Sequence, residues 1–126
     1  MCSCGSKLNA ADCCVPYLQG QKLAPTPEAL MRSRYSAYHD ANIAYIQATM
    51  CKKAAEGFDA VEAFAWAKSV KWKQLVVVKS SQQGDRGQVE FKAYYEHNQT
   101  PQVLHEISDF ERIDGKWFYV DGKMRS

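Results

Sequence analysis

Apolar and polar positions change rhythm twice along the chain. Residues 1–24 show no period: Cys, Gly, Ser and Asn dominate, and the segment has too little apolar surface to build a core. Pro25 and Pro27 then mark a boundary, with Pro27 suited to the first position of a helix and Thr26 to its cap. From Glu28 the pattern is helical, with Met31, Tyr35 and Tyr38 on one stripe. After a break at residues 40–42, Ile43, Ile46 and Met50 predict a second, short helix, and residues 52–57 read as a loop. Asp59 and Glu62 have capping-box spacing and open a third helix, with Val61, Phe64 and Ala65 as its expected buried face.

At Val70 the period falls to two. Residues 70–79, with Trp72 and the run Leu75 to Val78, predict a strand, and residues 83–87 a turn. Residues 88–97 alternate, placing Val89, Phe91, Ala93 and Tyr95 on one face. A turn at 98–101, a strand over 103–113, a hairpin turn at Asp114-Gly115 and a last strand over 116–121 complete the pattern. Short turns make neighbouring strands antiparallel, and one sheet face must be covered by the helices. The expected fold is therefore α+β: three N-terminal helices packed on a curved four-stranded antiparallel sheet. A small knuckle precedes it, dividing the chain into 1–24 and 25–126. A sheet curved around helices tends to enclose a cavity, the default ligand site.

Composition narrows the function classes. The chain has 126 residues, 46% of them hydrophobic and 24% charged, and a net charge of +2. The basic residues form no run or stripe, which argues against nucleic acid. No apolar stretch approaches the ~20 residues needed to span a bilayer, and no secretory leader is visible. The expected location is the cytoplasm, where thiols stay reduced and clustered cysteines are metal ligands more often than disulfides.

Cys2, Cys4, Cys13 and Cys14 fall within fourteen residues. Two close pairs joined by a short loop suit the tetrahedral, sulfur-rich coordination of one structural zinc ion. Gly5 permits a tight turn, Ser6 can donate to a thiolate, and Lys7 and Lys22 are near in sequence to offset negative charge. Four independent small hydrophobes would need more apolar surroundings. A redox pair would more commonly show Cys-x-x-Cys, which neither pair does.

The run Cys2-Ser3-Cys4-Gly5-Ser6 followed by Cys13-Cys14 resembles the SEC-C motif: Cys-x-Cys, eight residues, then Cys-His or Cys-Cys. That motif ends the bacterial preprotein translocase motor ATPase, where it binds zinc. Arg32-Ser33-Arg34-Tyr35-Ser36-Ala37-Tyr38, the stretch from His105 to Arg112, and the stretch from Gly115 to Gly122 resemble signatures of the YchJ-like family. In that family a SEC-C motif precedes a domain similar to nuclear transport factor 2. The resemblance spans essentially the whole chain. It implies zinc on the four cysteines and a cone-shaped α+β fold, and it supplies no activity.

Candidate chemistry outside the cysteines is sparse. Arg34 lies one turn from Leu30 and from Tyr38 and is expected to face inward, where it needs a partner such as Glu106 or Asp109. His105 and Asp109 share one strand face, about 13 Å apart at ~3.3 Å per residue, too far for a direct dyad. Arg34, Tyr35, His105 and Asp109 are the candidate pocket residues. Glu106, Ser108 and Arg112 fall on the opposite face with Phe110; exposed cross-strand charge pairing is the favoured reading of this row, and a pocket floor the alternative. The aromatics read as core, and Cys51 as a small buried hydrophobe. No phosphate loop, nucleophile elbow or His-Glu-x-x-His is present.

Two function classes remain. The first is a non-enzymatic adaptor whose zinc knuckle docks a protein partner. The alternative is a small-molecule pocket, binding or enzymatic in the manner of an isomerase or hydrolase. Absence of a catalytic constellation favours the adaptor.

Overall fold

A computed structural model describes residues 2–124. A 3-10 turn at Ala10–Asp12 and a short helix α1 (Val15–Leu18) are followed by α2 (Pro27–His39), α3 (Ile43–Ala48), α4 (Lys52–Glu56) and α5 (Ala60–Ser69). Four strands follow: β1 (Lys71–Gln83), β2 (Arg86–His97), β3 (Thr100–Ile113) and β4 (Lys116–Met124). They form one antiparallel sheet in sequence order.

The expected caps are in place. Thr26 Oγ1 accepts from the Ala29 N–H at 3.1 Å, and Asp59 Oδ1 accepts from the Glu62 N–H at 3.1 Å. Asn42 does the same for Tyr45 at 3.2 Å and starts α3. Each side-chain oxygen satisfies a donor that the first helical turn leaves free.

Two expectations about the helices are corrected. Residues 52–57 are not simply a loop, because Lys52–Glu56 forms the short helix α4. On α5 the inward stripe is Ala63, Trp66, Ala67 and Val70, while Val61 is 81% exposed and Phe64 49%. Both stripes have helical spacing. Trp66 decides between them, because its ring packs edge-on against Trp72 and Tyr38, with centroids 5.1 Å and 6.1 Å away.

The strands run longer than the turn residues imply. Each hairpin closes with two residues: Gly84-Asp85, Asn98-Gln99 and Asp114-Gly115. Asn98, Gln99, Asp114 and Gly115 all have positive φ, the geometry of primed turns whose twist matches the flanking strands. Irregularities at Trp72/Gln74, Val77/Lys79 and Asp109/Phe110 bend the sheet around α2. The concave face carries Leu75, Val89, Phe91, Ala93, Phe110 and Trp117, all buried. At Gly87 a Cβ would collide with the ring of Pro27, so this glycine lets the start of α2 lie on the sheet. Behind α3, Tyr119 N donates to Thr49 O at 2.8 Å and Cys51 N donates to Tyr119 O at 3.1 Å, fastening this segment to β4.

The N-terminal segment does not stand outside the core, as its sequence implied. Cys2, Cys4 and Cys14 are buried in the same cluster as Leu30, Met31, Tyr35 and Leu75.

Candidate metal centre and interior cavity

The chain brings Cys2, Cys4, Cys13 and Cys14 to one point in three steps. Cys2 N donates to Leu8 O at 2.6 Å and closes the first loop. Gly5 then turns with φ +83°, passing so near β1 that a Cβ would lie 3.0 Å from Leu75 O. The 3-10 turn and α1 finally present Cys13 and Cys14 between them. Arg32 on α2 anchors the loop by donating from Nη1 to Cys4 O at 2.8 Å, while its Nε bonds Glu28. Ser36 meets Ser3 Oγ at 2.9 Å and Cys2 Sγ at 3.7 Å, so Cys2 is held against α2.

All four sulfurs lie within 4.8 Å of one another. Cys4 and Cys13 are 3.5 Å apart, and Cys13 and Cys14 3.8 Å. A tetrahedron of sulfurs each ~2.3 Å from a zinc ion has edges of about 3.8 Å. Ser6 Oγ stands 3.1 Å from Cys13 Sγ, as its place in the sequence suggested. Hydrogen bonding from Cys14 lowers the Cys4 thiol to about 4, against burial, while the same contact and burial push Cys14 up. Burial likewise raises Cys13. Without a counter-charge the cluster thus favours one thiolate, and a divalent cation supplies the charge that lets all four ionise. The sulfurs can hold a metal ion. The nearby cation is Arg32, which sequence proximity alone did not single out.

A cavity of ≈ 200 Å³ lies between α2, α5 and the concave sheet face. Its walls are largely aromatic, with Tyr35, Tyr38, Trp66, Trp72, Phe91 and Tyr119. Three polar side chains line it as well: Arg34, Glu106 and Ser108. Arg34 is 4% exposed and donates from Nη1 to Ile46 O at 2.9 Å and Thr49 Oγ1 at 2.6 Å. Its guanidinium carbon stands 4.6 Å from the Tyr119 ring centroid. Tyr119 Oη donates to Glu106 Oε1 at 2.8 Å. Gly122 leaves room for that carboxyl, which a Cβ there would strike. Burial pushes the Glu106 carboxyl up, with the Tyr119 bond and the Arg34 charge opposing. Burial and the adjoining carboxyl also push the Tyr119 phenol up, so it remains a donor. Trp72 Nε1 is buried with no hydrogen-bond partner among the described residues.

A family model described as "YchJ, middle NTF2-like domain" matches residues 26–122. The chain belongs to the YchJ-like family. A UPF0225 protein of Geobacter sulfurreducens is 35% identical over 125 residues, covering 97% of this chain and 78% of its own. The solution structure of a SEC-C motif containing protein from Rhodopseudomonas palustris is similar throughout, at 37% identity and a TM-score of 0.92, covering 99% of this chain and 98% of that one. The crystal structure of a SEC-C motif containing protein from Psychrobacter arcticus aligns at 31% identity and a TM-score of 0.80, covering 99% and 81%. The cysteine cluster of this YchJ-like chain thus fits a SEC-C motif in both sequence and geometry.

Of the four candidate pocket residues, the YchJ-like fold brings Arg34 and Tyr35 to the cavity and leaves His105 and Asp109 outside. Asp109 pairs in register with Gln88 and accepts from its side chain at 3.0 Å. His105 Nε2 lies 2.7 Å from Glu90 Oε2 on the convex face. Glu106 and Ser108 are the inward residues instead, which corrects their reading as an exposed charged row. Directly paired residues share a sheet face, and Phe91 and Val89 pair with Glu106 and Ser108. The apolar alternation of β2 therefore held the signal. Their polarity obscured it. Arg112, on the same face, lies at the rim, where it bonds Asp85 and stands 5.2 Å from the Trp117 ring centroid.

Proposed function

We propose that the four cysteines hold a single structural zinc ion and that the interior cavity binds a small molecule. A closed set of four thiolates leaves no open coordination position, so the metal's contribution is to folding. Reduced thiols of this kind suit the cytoplasm. One observation carries the ligand reading: the Glu106 carboxyl, oriented by Tyr119, lines a largely aromatic cavity. Desolvating a carboxyl opposes folding, and the Tyr119 bond and the Arg34 charge offset that cost only in part. Such a group is kept for what it contacts.

Metal counting by native mass spectrometry on protein purified under reducing conditions is expected to give one zinc per chain, and none would overturn the zinc reading. For the cavity, a thermal-shift screen of small organic molecules is the test. A ligand at a hundred times its Kd stabilises by about 2.7 kcal/mol. Ala93→Leu, which fills the cavity, is expected to abolish the shift. Hits that stabilise both forms equally would count against the cavity.

A second reading, the adaptor, has its own observation. A more open cleft of ≈ 360 Å³ lies where residues 17–24 meet α3, walled by Tyr17, Leu18, Tyr45 and Trp117, with Leu23 exposed at it. An apolar side chain of a protein partner fits this surface. Recovery of the same partners by wild type and Leu23→Glu would sink it.

A further inference from the structure

We infer that the interior cavity is a site for a small, neutral, planar organic molecule bearing one polar handle. The inference rests on the reading that the cavity binds a ligand at all.

Size sets the first limit. A cavity of about 150 Å³ with apolar walls takes benzene. At ≈ 200 Å³ this one accommodates a single ring with a small substituent. The walls set the shape. Trp66 and Trp72 meet at 84° with centroids 5.1 Å apart, and Tyr35 meets Trp72 at 79°. Rings at right angles form a corner. A flat guest lies along one wall and is met edge-on by the other, the arrangement that aromatic quadrupoles favour.

Charge sets the third limit. The titratable groups lining the cavity are Arg34, Glu106 and the phenols of Tyr35, Tyr38 and Tyr119. Tyr119 lies between the two charges, with the Arg34 guanidinium over its ring and Glu106 at its hydroxyl. One positive and one negative group thus balance across a single ring. A cation entering here meets Arg34, and an anion meets Glu106. Either brings a net charge beside a buried Arg34 and a half-buried Glu106 that already balance each other.

The polar handle follows from one group. The Glu106 carboxylate is an acceptor whose Oε1 takes one bond, from Tyr119. A hydroxyl can answer it by donating, and it brings no charge of its own.

The test uses the intact, metal-loaded protein and three probes of nearly equal shape: benzyl alcohol, benzylamine as its ammonium ion, and benzoate. Binding is read from tryptophan fluorescence and from the Trp72 indole N–H signal in a proton–nitrogen correlation spectrum. Benzyl alcohol is expected to shift that signal and to bind at least tenfold more tightly than either ion. An ion that matches or exceeds the alcohol overturns the neutral-ligand inference and leaves the ligand-binding reading intact. Failure of all three to bind overturns the ligand-binding reading for guests of this size. Glu106→Gln provides a second measurement that does not depend on absolute affinity. It removes the negative half of the balance and is expected to move preference toward benzoate by tenfold or more. An unchanged order of the three probes in this variant overturns the charge argument.

Discussion

Glu106 occupies a position where burial alone would favour a leucine, and its environment dictates how the protein responds to pH. Its folded-state pKa is raised, chiefly by burial. A raised acid contributes stability below its ordinary range, and that contribution is lost as pH rises through the folded value. Glu106→Gln retains an acceptor for Tyr119 and cannot ionise. Its melting temperature is therefore expected to gain on wild type as the pH is taken from about 4 to about 8, with the gap closing at the acid end. A constant gap would show that the carboxyl is ionised at no cost. Arg34 behaves differently, because its guanidinium is already bonded to Ile46 and Thr49. Arg34→Leu removes those two bonds and leaves Glu106 without its buried counter-charge. A loss of about 3–5 kcal/mol in a denaturant titration is expected, the cost of removing one member of a buried charged set.

Elements in this chain begin where side chains can cap them. Thr26, Asn42 and Asp59 each accept a first-turn N–H. Thr26→Ala is expected to cost about 1 kcal/mol, measured as a fall in denaturation midpoint at constant slope. These starts were legible in the sequence because a cap is a local matter, set by one residue and the next three. The same holds for Asp114-Gly115, whose positive φ values suit few other residues. What was not legible depends on distant partners. α4 has no cap of its own and lies against β4, with Lys52 and Lys53 paired to Glu111 and Asp121. The buried side of α5 was fixed by Trp72 and Tyr38, not by the helix. For the cavity, Arg34 could be placed by helical spacing, whereas Glu106 required the register of β2 with β3.

At the scale of the whole molecule, the metal cluster and the sheet share one core. Cys4 is fully buried and Cys14 nearly so, in the cluster that holds Leu30, Tyr35 and Leu75. The ligand set was legible from spacing, but this integration was not, because an apolar-poor segment gives no sign of what it will pack on. Removing the metal with a strong chelator is therefore expected to lower the melting temperature of the whole chain in one transition. Hydrogen exchange should rise in α2 as well as in residues 2–24. Two separate transitions would show instead that the N-terminal segment melts alone. Among the described residues no helix is long and apolar enough to cross a membrane.

The clasp between Thr49–Cys51 and Tyr119 has one more consequence, which concerns self-association. An open sheet ends in two strands with unpaired backbone groups, each a template for a strand from another molecule. On the β4 side, the backbone of Thr49 and Cys51 already takes both bonds that Tyr119 offers outward. On the β1 side, the thirteen residues have no such cover among the described residues, and two irregularities with exposed Lys71, Lys73 and Lys79 interrupt the ladder instead. One border is clasped at Tyr119 by its own chain and the other is guarded by charge. Lys73→Val with Lys79→Val should leave the chain folded and yet promote its pairing into dimers through β1, visible as a light-scattering mass that rises with concentration.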